Sequence, residues 1–367
     1  MTPTPRAGKK RHPYRRRRRQ ARGAAGPVLG AIDVGTNACR LLIAVPEADS
    51  PMPRVIDSYT ASVRLGEGLE RSGSITEAAL DRTIQALRVC SERLKRRGVT
   101  HVKAIATEAC RRASNAKDLL DRAESEAGIR LVIVTPEEEA RLAAEGCLPL
   151  IGEEFEGALI FDIGGGSTEL ILVRVAPGRQ SHEIVAWGSV PVGVVALAER
   201  YGGHQLPAAV YGAMRENIGG PFARLFAELG RDVSEVARFH LLGTSGTLTT
   251  LAGVKLGLPR YNRSRIDGQW LTRDDVLAIT DRIVSQDFAG RADIPCIGSD
   301  RADLILPGCA ILAEIMTHWP STRLRVADRG LREGLLIGLL KEAGETNMSR
   351  RGAARQQPRA EGVPAGK

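Results

Sequence analysis

One strand-turn-strand unit occurs twice in this chain of 367 residues. The first copy reads GPVLGAIDVGTNACRLLIAV, and GALIFDIGGGSTELILVRV repeats its pattern 129 residues later. In each copy an aspartate, Asp33 or Asp162, ends the first apolar strand, and glycine with other small residues forms the turn. A duplication with so long a period predicts two domains that are built on the same plan.

Strand-like and helix-like segments alternate between and after these two copies. The segment TEAALDRTIQALRVCSERLKRRG has apolar residues at helical spacing and ends at a glycine. It is followed by a predicted strand HVKAIAT, a helix NAKDLLDRAESEAG, a strand IRLVIVT and a helix PEEEARLAAEGCLPLI. This alternation predicts an α/β fold with mixed sheets that are flanked by helices.

The formal charge of +9 is concentrated in two tails. Residues 1–25 hold ten Lys or Arg and no acid, and residues 348–367 hold five against one Glu, which leaves −5 for the rest. Both tails are predicted to be disordered. No nucleic-acid partner is expected except through the Arg-rich tail at 1–25, which has the charge to attract a polyanion.

The apolar runs and the cysteines limit where the protein is expected to work. No run reaches the ~20 apolar residues of a membrane-spanning helix, so no membrane partner is expected. The six cysteines are scattered, without a CxxC pair and without a histidine at ligand spacing. This pattern is typical of a reduced, cytoplasmic protein without structural zinc.

Three glycine-rich turns are candidates for phosphate binding. Backbone N–H groups in such turns can form a concave array of donors, and the missing side chains let an anion come close. A single glycine hairpin can equally be only a tight turn, but here two of the three turns follow an aspartate at a strand end. The predicted phosphate-binding residues are Gly35, Thr36, Asn37, Gly164, Gly165, Gly166, Ser167, Thr168, Gly243, Thr244, Ser245, Gly246 and Thr247.

Carboxylates beside a phosphate site repel the phosphate unless a cation lies between them. Mg²⁺ suits this position, because one or two carboxylates hold it while it keeps waters and bridges phosphate oxygens. We therefore expect Mg²⁺ or another divalent cation, with Asp33, Asp162 and Glu169 as its ligands. Either aspartate alone can instead be a turn former that accepts from its own backbone.

The motif ATEACRRASN follows a predicted strand and precedes a predicted helix. Arg111, Arg112 and Asn115 are therefore expected at the sheet edge where ligands of α/β folds bind. An arginine in this position can hold a phosphate through two parallel N–H donors.

Seven motifs of this sequence, in order, resemble those of the exopolyphosphatase and guanosine pentaphosphate phosphohydrolase (Ppx/GppA) family, which belongs to the actin-like ATPase superfamily. They are AIDVGTNACRLLI, RLGEGL, ATEACRRASN, EEEARL, FDIGGGSTEL, GTSGTLTTLAG and DRADLILPGCAIL. The resemblance implies two actin-like (ribonuclease H-like) domains at 27–136 and 137–327, with an active site in the cleft between them. It also implies a return helix at 328–342 that packs on the first domain, and a short member of the family that lacks the additional helical domains of long relatives.

The resemblance also implies roles for particular residues. The glutamate before the alanine of the family's EEAR motif is Glu139, which is implied as the catalytic glutamate. Asp162 and Glu169 correspond to the acids of the glycine hairpin, Asp33 to the aspartate of the first hairpin, and Arg111 to the phosphate-holding arginine.

Three positions depart from the family's pattern. Thr36 and Ala38 stand where serines are common, and Pro136 stands where a glycine is usual. The backbone phosphate cradle remains an expectation, but a hydroxyl contact from position 38 is lost.

The function that this resemblance implies is hydrolysis of a terminal phosphoryl group by water, with Glu139 orienting or deprotonating the water. The first substrate expected is inorganic polyphosphate, and the alternative is guanosine pentaphosphate (pppGpp). Two other classes are an actin-like kinase and a nucleotide-gated or nucleic-acid-binding protein. A homodimer is possible.

Overall fold

The first of two sheets contains five strands in the order β3-β2-β1-β4-β5. The computed structural model describes residues 26–48, 50, 52–179, 181–202, 206–230 and 238–355, so the predicted tail at 1–25 lies outside the described residues. Strand β1 is antiparallel to β2 and parallel to β4. The strands are β1 (Leu29–Val34), β2 (Ala38–Val45), β3 (Arg54–Ser62), β4 (His101–Ala106) and β5 (Val132–Ile133).

Helices cover both faces of this sheet, and the helices that precede β5 pack on one of the two faces. They are α1 (Leu69–Ser72), α2 (Glu77–Arg97), α3 (Glu108–Arg112) and α4 (Ala116–Ala127). Helix α2 begins where the Thr76 side chain accepts from Ala79 N at 3.3 Å, and it ends at Gly98 in the left-handed conformation. The predicted helix is therefore confirmed, with the N-cap and the C-terminal glycine that such a helix needs.

The second sheet contains six strands in the order β10-β11-β9-β6-β7-β8. Its centre repeats the first sheet, because β6 is antiparallel to β7 and parallel to β9. The predicted α/β class with two mixed sheets is confirmed. Helix α5 (Pro136–Cys147) connects the sheets, and the strands are β6 (Gly157–Ile163), β7 (Thr168–Val175), β8 (His182–Val190), β9 (Phe239–Thr244), β10 (Trp270–Thr272) and β11 (Arg323–Ala327).

The helices of the second half pack mainly around this second sheet. They enclose a core that includes the fully buried side chains of Phe161, Phe222 and Leu312. No helix in the described part of the chain is long and apolar enough to cross a membrane. The helices are α6 (Val194–Arg200), α7 (Val210–Glu228), α8 (Gly246–Lys255), α9 (Arg263–Ile266), α10 (Arg273–Val284), α11 (Phe288–Asp293) and α12 (Ile305–His318).

The last helix, α13 (Leu331–Arg355), follows the second sheet in sequence but packs on the first. Its Leu335 and Leu339 share a core cluster with Leu29 and Leu42 of β1 and β2. The helix includes residues 348–355 of the segment for which the charge pattern predicts a disordered tail. No proline occurs in the helix, so the backbone is able to continue to Arg355. Residues 356–367 of that predicted tail lie outside the described residues.

One predicted strand is shorter than expected. The apolar segment IRLVIVT forms a strand only at Val132–Ile133, because β5 pairs with β4 only through Ile105 and Ala106. The flanking Leu131 and Val134 are buried in the core without being part of the sheet. The apolar run therefore overestimates the strand length, and it is buried only in part, since Val132 is exposed.

Glycines allow α5 and α13 to cross at close range, and we predict that Gly146→Ala destabilises the protein. A Cβ at Gly146 overlaps the backbone carbonyl of Gly330, and a Cβ at Gly334 overlaps the carbonyl of Leu142. Overpacking against a backbone group is expected to lower the free energy of unfolding by about 1–3 kcal/mol. Chemical denaturation measures this change.

The matched control is Gly338→Ala on α13, where an added Cβ meets no atom within 4 Å. Alanine there is expected to raise helix stability by up to about 1 kcal/mol. Equal stability effects of the two substitutions would show that the helices do not depend on the close crossing.

Candidate active site

The strands that carry the predicted motifs end side by side. In the first sheet, Val34 of β1 lies beside Ala106 of β4, so the turn at 35–37 (the first turn) adjoins the ATEACRR motif. In the second sheet, Asp162 of β6 lies beside Thr244 of β9, so the turn at 164–167 (the second turn) adjoins the turn at 243–247 (the third turn). Carboxyl ends of parallel strands are the usual ligand edge of α/β sheets.

The first and second turns face each other across the two halves of the chain. A Cβ added at Gly165 lies 2.8 Å from the Cβ of Thr36 and 3.3 Å from the amide nitrogen of Asn37. On its other side, Gly165 packs against Gly193, and its carbonyl accepts from Val195 N at 2.8 Å. Only a residue without a side chain fits between these two backbones.

The leading glycine of each turn uses its own amide to close that turn. Gly35 N donates to Ala38 O at 3.0 Å, and Gly164 N donates to Ser167 O at 2.9 Å. These two amides are therefore not the donors of a phosphate cradle. Within the described ranges, the amides of these two turns without a protein acceptor are those of Thr36, Asn37, Gly165, Gly166 and Ser167.

The two acids of the second hairpin lie directly opposite each other. Asp162 of β6 pairs with Glu169 of β7 in the antiparallel register. Oε1 of Glu169 accepts from the hydroxyls of Ser167 at 2.6 Å and Ser189 at 2.9 Å. Like charges opposite each other on adjacent strands repel. The two side chains therefore share one face of the sheet, where neutralising either charge relieves the repulsion.

Burial and neighbouring acids raise the pKa of each member of this pair. Burial, and then the charge of Glu139, raises the pKa of Asp162 to about 7. Burial raises the pKa of Glu169 to about 7, while the hydrogen bond from Ser167 opposes this rise. Both carboxyls thus change charge near neutral pH, a property that is common at functional sites.

Asp33 occupies the same place in the first hairpin but has a different partner. It lies opposite Arg40, and Arg40 Nη1 is 3.8 Å from Asp33 Oδ2. Burial raises the pKa of Asp33, and the charges of Arg40 and Arg332 oppose this rise. The position that holds a second acid in the other hairpin therefore holds a cation here.

Glu139 lies in the first turn of α5, paired with Arg111. Arg111 Nη1 donates to Glu139 Oε2 at 2.7 Å and to Val134 O at 3.0 Å. Burial, and then the charge of Glu169, raises the pKa of Glu139 to about 8, against the opposing effect of Arg111. A general base needs a pKa near the working pH, and this position supplies it.

The predicted metal ligands are only partly brought together. In the part of the chain that the structure describes, no three His, Cys, Asp or Glu residues form a ready-made metal site. Asp162 and Glu169 are neighbours, whereas Asp33 is on the other sheet beside Arg40. A hard cation such as Mg²⁺ still fits, since it needs only one or two carboxylates besides water and phosphate oxygens.

Several predicted phosphate-binding residues have packing contacts instead. The hydroxyl of the fully buried Thr168 donates to Val192 O at 2.6 Å. Gly243 lies within β9, where a Cβ would meet Phe161 at 2.5 Å. The Thr247 side chain packs against Gly308. The glycine pattern alone does not separate these packed positions from turn residues whose amides lack a protein acceptor.

The third turn has strained backbone at the start of α8. Ser245 has φ 152° and ψ 174°, a conformation that is nearly confined to glycine. Its side chain caps α8 by accepting from Leu248 N at 3.4 Å. Arg301 Nη1 lies 3.4 Å from Gly246 O and donates to Thr250 Oγ1 at 3.0 Å. The turn thus has both a helix N-terminus and a nearby cation.

The sequence reasoning missed several charged residues of this region. Arg40, Arg301 and Arg332 were not predicted, although Arg40 and Arg332 act on the pKa of Asp33 and Asp162. For Arg40 the signal existed, because it follows Asp33 at the spacing that separates Asp162 from Glu169. Of the other motif residues, Asn115 is structural, since it bonds both backbone groups of Ile75.

Comparisons with known proteins identify the family and the fold. The model of the Ppx/GppA phosphatase family matches residues 43–343. A crystal structure of the Aquifex aeolicus family member has a TM-score of 0.69 and 26% identity over 86% of this chain and 98% of that one. An exopolyphosphatase from Cytophaga hutchinsonii has a TM-score of 0.74 and 26% identity over 86% and 98%.

A third structure, of an exopolyphosphatase-like protein, has a TM-score of 0.76 over 86% of this chain and 98% of that one, and at 23% identity it bears on the fold alone. The predicted actin-like two-domain fold is confirmed by these likenesses. The chain belongs to the Ppx/GppA phosphatase family and is a phosphatase that acts on phosphoric anhydrides.

Proposed function

We propose that this phosphatase is an exopolyphosphatase, which releases orthophosphate from the end of inorganic polyphosphate. The observation that carries the proposal is the pair of apposed glycine turns beside a cluster of acids whose pKa values are raised towards neutrality. The turns supply amide donors for phosphate oxygens, and the acids supply a base. The exopolyphosphatase from Cytophaga hutchinsonii, with its similar fold, supports this choice.

Glu139 is the proposed base that orients the attacking water and accepts its proton. Its Oε2 is fixed by Arg111, which also bonds Val134 O, so the carboxylate is held in one place. Arg111 is close enough to this carboxylate to stabilise charge on a phosphoryl group that reacts there. Positioning and electrostatic stabilisation then account for most of the rate enhancement.

Asp162 and Glu169 are the proposed ligands of a divalent cation, with Asp33 facing the same cleft from the first hairpin. When bound, Mg²⁺ would neutralise phosphate charge and polarise the phosphoryl oxygens. Amides of Thr36, Asn37, Gly165, Gly166 and Ser167 are the proposed donors to the substrate. The proposal also includes domain limits at 27–136 and 137–327, a cytoplasmic location and assembly as a homodimer.

Phosphate release from polyphosphates of several lengths, with and without Mg²⁺, tests the proposal. We expect Mg²⁺-dependent release from polyphosphate, and loss of release when the cation is chelated. The same assay includes guanosine pentaphosphate, because the family takes its name from both activities. Turnover of pppGpp alone would overturn the polyphosphate assignment and leave the phosphatase in place.

A further inference from the structure

Glu108 is a buried carboxylate outside the acid cluster, and it contacts both facing turns. It is the first residue of α3 and is 7% exposed. Its Oε2 accepts from Thr36 Oγ1 of the first turn at 3.1 Å. The same carboxylate packs against Gly166 of the second turn, where any Cβ would overlap it. Glu108 therefore joins a turn of one sheet to a turn of the other.

The charge of Glu108 opposes phosphate binding at these turns. A buried carboxylate is tolerated only when donors satisfy it. Arg112 meets this need, because its Nη1 donates to Glu108 Oε1 at 3.1 Å. Since the remaining negative charge still disfavours an approaching anion, any contribution of Glu108 to turnover must come from geometry.

Other contacts extend this link into the second half of the chain. Arg112 also donates to Glu70 Oε2 at 2.7 Å, and Arg200 of α6 lies 3.6 Å from Glu70 Oε1. The neighbouring Glu199 accepts from Gly68 N at 2.9 Å. The C-terminal end of α6 is thereby attached to the first half of the chain.

The other end of α6 holds the second turn. Val194 N donates to Gly164 O at 3.0 Å and Val195 N to Gly165 O at 2.8 Å. The second turn is thus held by hydrogen bonds from α6, while Glu108 packs against its Gly166. Small displacements of reacting groups, of about 1 Å, can reduce turnover by about 10²-fold.

We propose that Glu108 is a positioning residue, which sets the spacing of the two glycine turns by bonding Thr36 and packing on Gly166. The inference rests on the proposed function, because it takes these turns to bind the reacting phosphates. Glu108 then supports turnover through the length of its side chain, and its negative charge makes no favourable contribution.

The test separates reach from charge with two substitutions. Glu108→Asp keeps the charge but shortens the side chain by one methylene, so we expect kcat to fall by about 10- to 100-fold. Glu108→Gln keeps the reach, because its amide oxygen can accept from Arg112 while its NH2 donates to Thr36 Oγ1. We therefore expect kcat within about threefold and a KM that is unchanged or lower. Thermal unfolding of both variants checks that they are folded.

Glu70→Gln is the matched control, because Glu70 shares Arg112 but contacts neither turn. It is expected to keep kcat within about twofold, as exposed ion pairs contribute little. A larger loss in Glu108→Gln than in Glu108→Asp, equal values for both, or a loss in Glu70→Gln as large as in Glu108→Asp would each overturn the inference.

Calorimetric titration with inorganic phosphate separates this inference from the substrate proposal. Glu108→Asp should weaken phosphate binding by at least about fivefold, while Glu108→Gln should not weaken it. If the wild-type protein hydrolyses neither polyphosphate nor pppGpp, the substrate proposal fails and the phosphate titration still tests Glu108. A wild-type protein that binds no phosphate would remove the inference.

Discussion

Glu139→Gln is expected to lower kcat for phosphate release by about 10³-fold while the protein stays folded. A positioned general base contributes about 10²- to 10⁴-fold, and the amide cannot accept the proton of the attacking water. Glutamine keeps the volume of Glu139 and an oxygen for the hydrogen bond from Arg111. Steady-state assays with the substrate that the wild-type protein hydrolyses measure the loss, and thermal unfolding checks the fold.

The matched control for this prediction is Glu138→Gln. Glu138 is the preceding residue on α5 and is exposed, so its loss removes the same charge from the helix without touching the cleft. We expect its kcat within about twofold of the wild-type value. Near-normal turnover by Glu139→Gln would exclude Glu139 as the base. Holding the base in place would then no longer be a role of Arg111.

The hairpins and most helices could be predicted because their signals are local. Asp33 and Asp162 are each the last residue but one of a strand, and Gly98 is the C-cap of α2, close to where the apolar spacing and the glycines predict them. Strand lengths were harder to predict, since the length of β5 depends on how many residues of β4 can pair with it. A local pattern specifies an element but not the length of its pairing.

The contacts across the cleft could not be predicted from local patterns. Nothing near Glu108 in the sequence shows that it contacts Gly166, because Gly166 lies 58 positions later and in a turn of the other sheet. Thr168 and Gly243 show the reverse case, in which residues of the right type in a glycine motif point into packed regions. To distinguish residues that line the cleft from residues that are packed away from it, one needs the register of the strands and the contacts between the two halves of the chain.

Asp162→Asn is expected to stabilise the metal-free protein at pH 8 while reducing kcat by at least about 10²-fold. Asp162 lies opposite Glu169, and both pKa values are raised to about 7. A carboxyl whose pKa is higher in the folded protein binds protons more tightly when folded, so stability falls as pH rises from about 4 to about 7. Asparagine removes one charge of the repelling pair and keeps the shape.

The expected gain at pH 8 is on the order of 2 kcal/mol, or about 4–8 °C in Tm, and it should shrink towards pH 4. Mg²⁺ should raise the Tm of the wild-type protein more than that of Asp162→Asn, because the substitution removes a proposed ligand. The exposed Asp281 on α10 provides the control, since Asp281→Asn removes the same charge from a surface position. A lower Tm for Asp162→Asn in metal-free buffer at pH 8 would show that the two acids do not repel. Because the same carboxylate is expected to oppose folding and to support turnover, only a variant that gains stability and loses activity together fits this assignment.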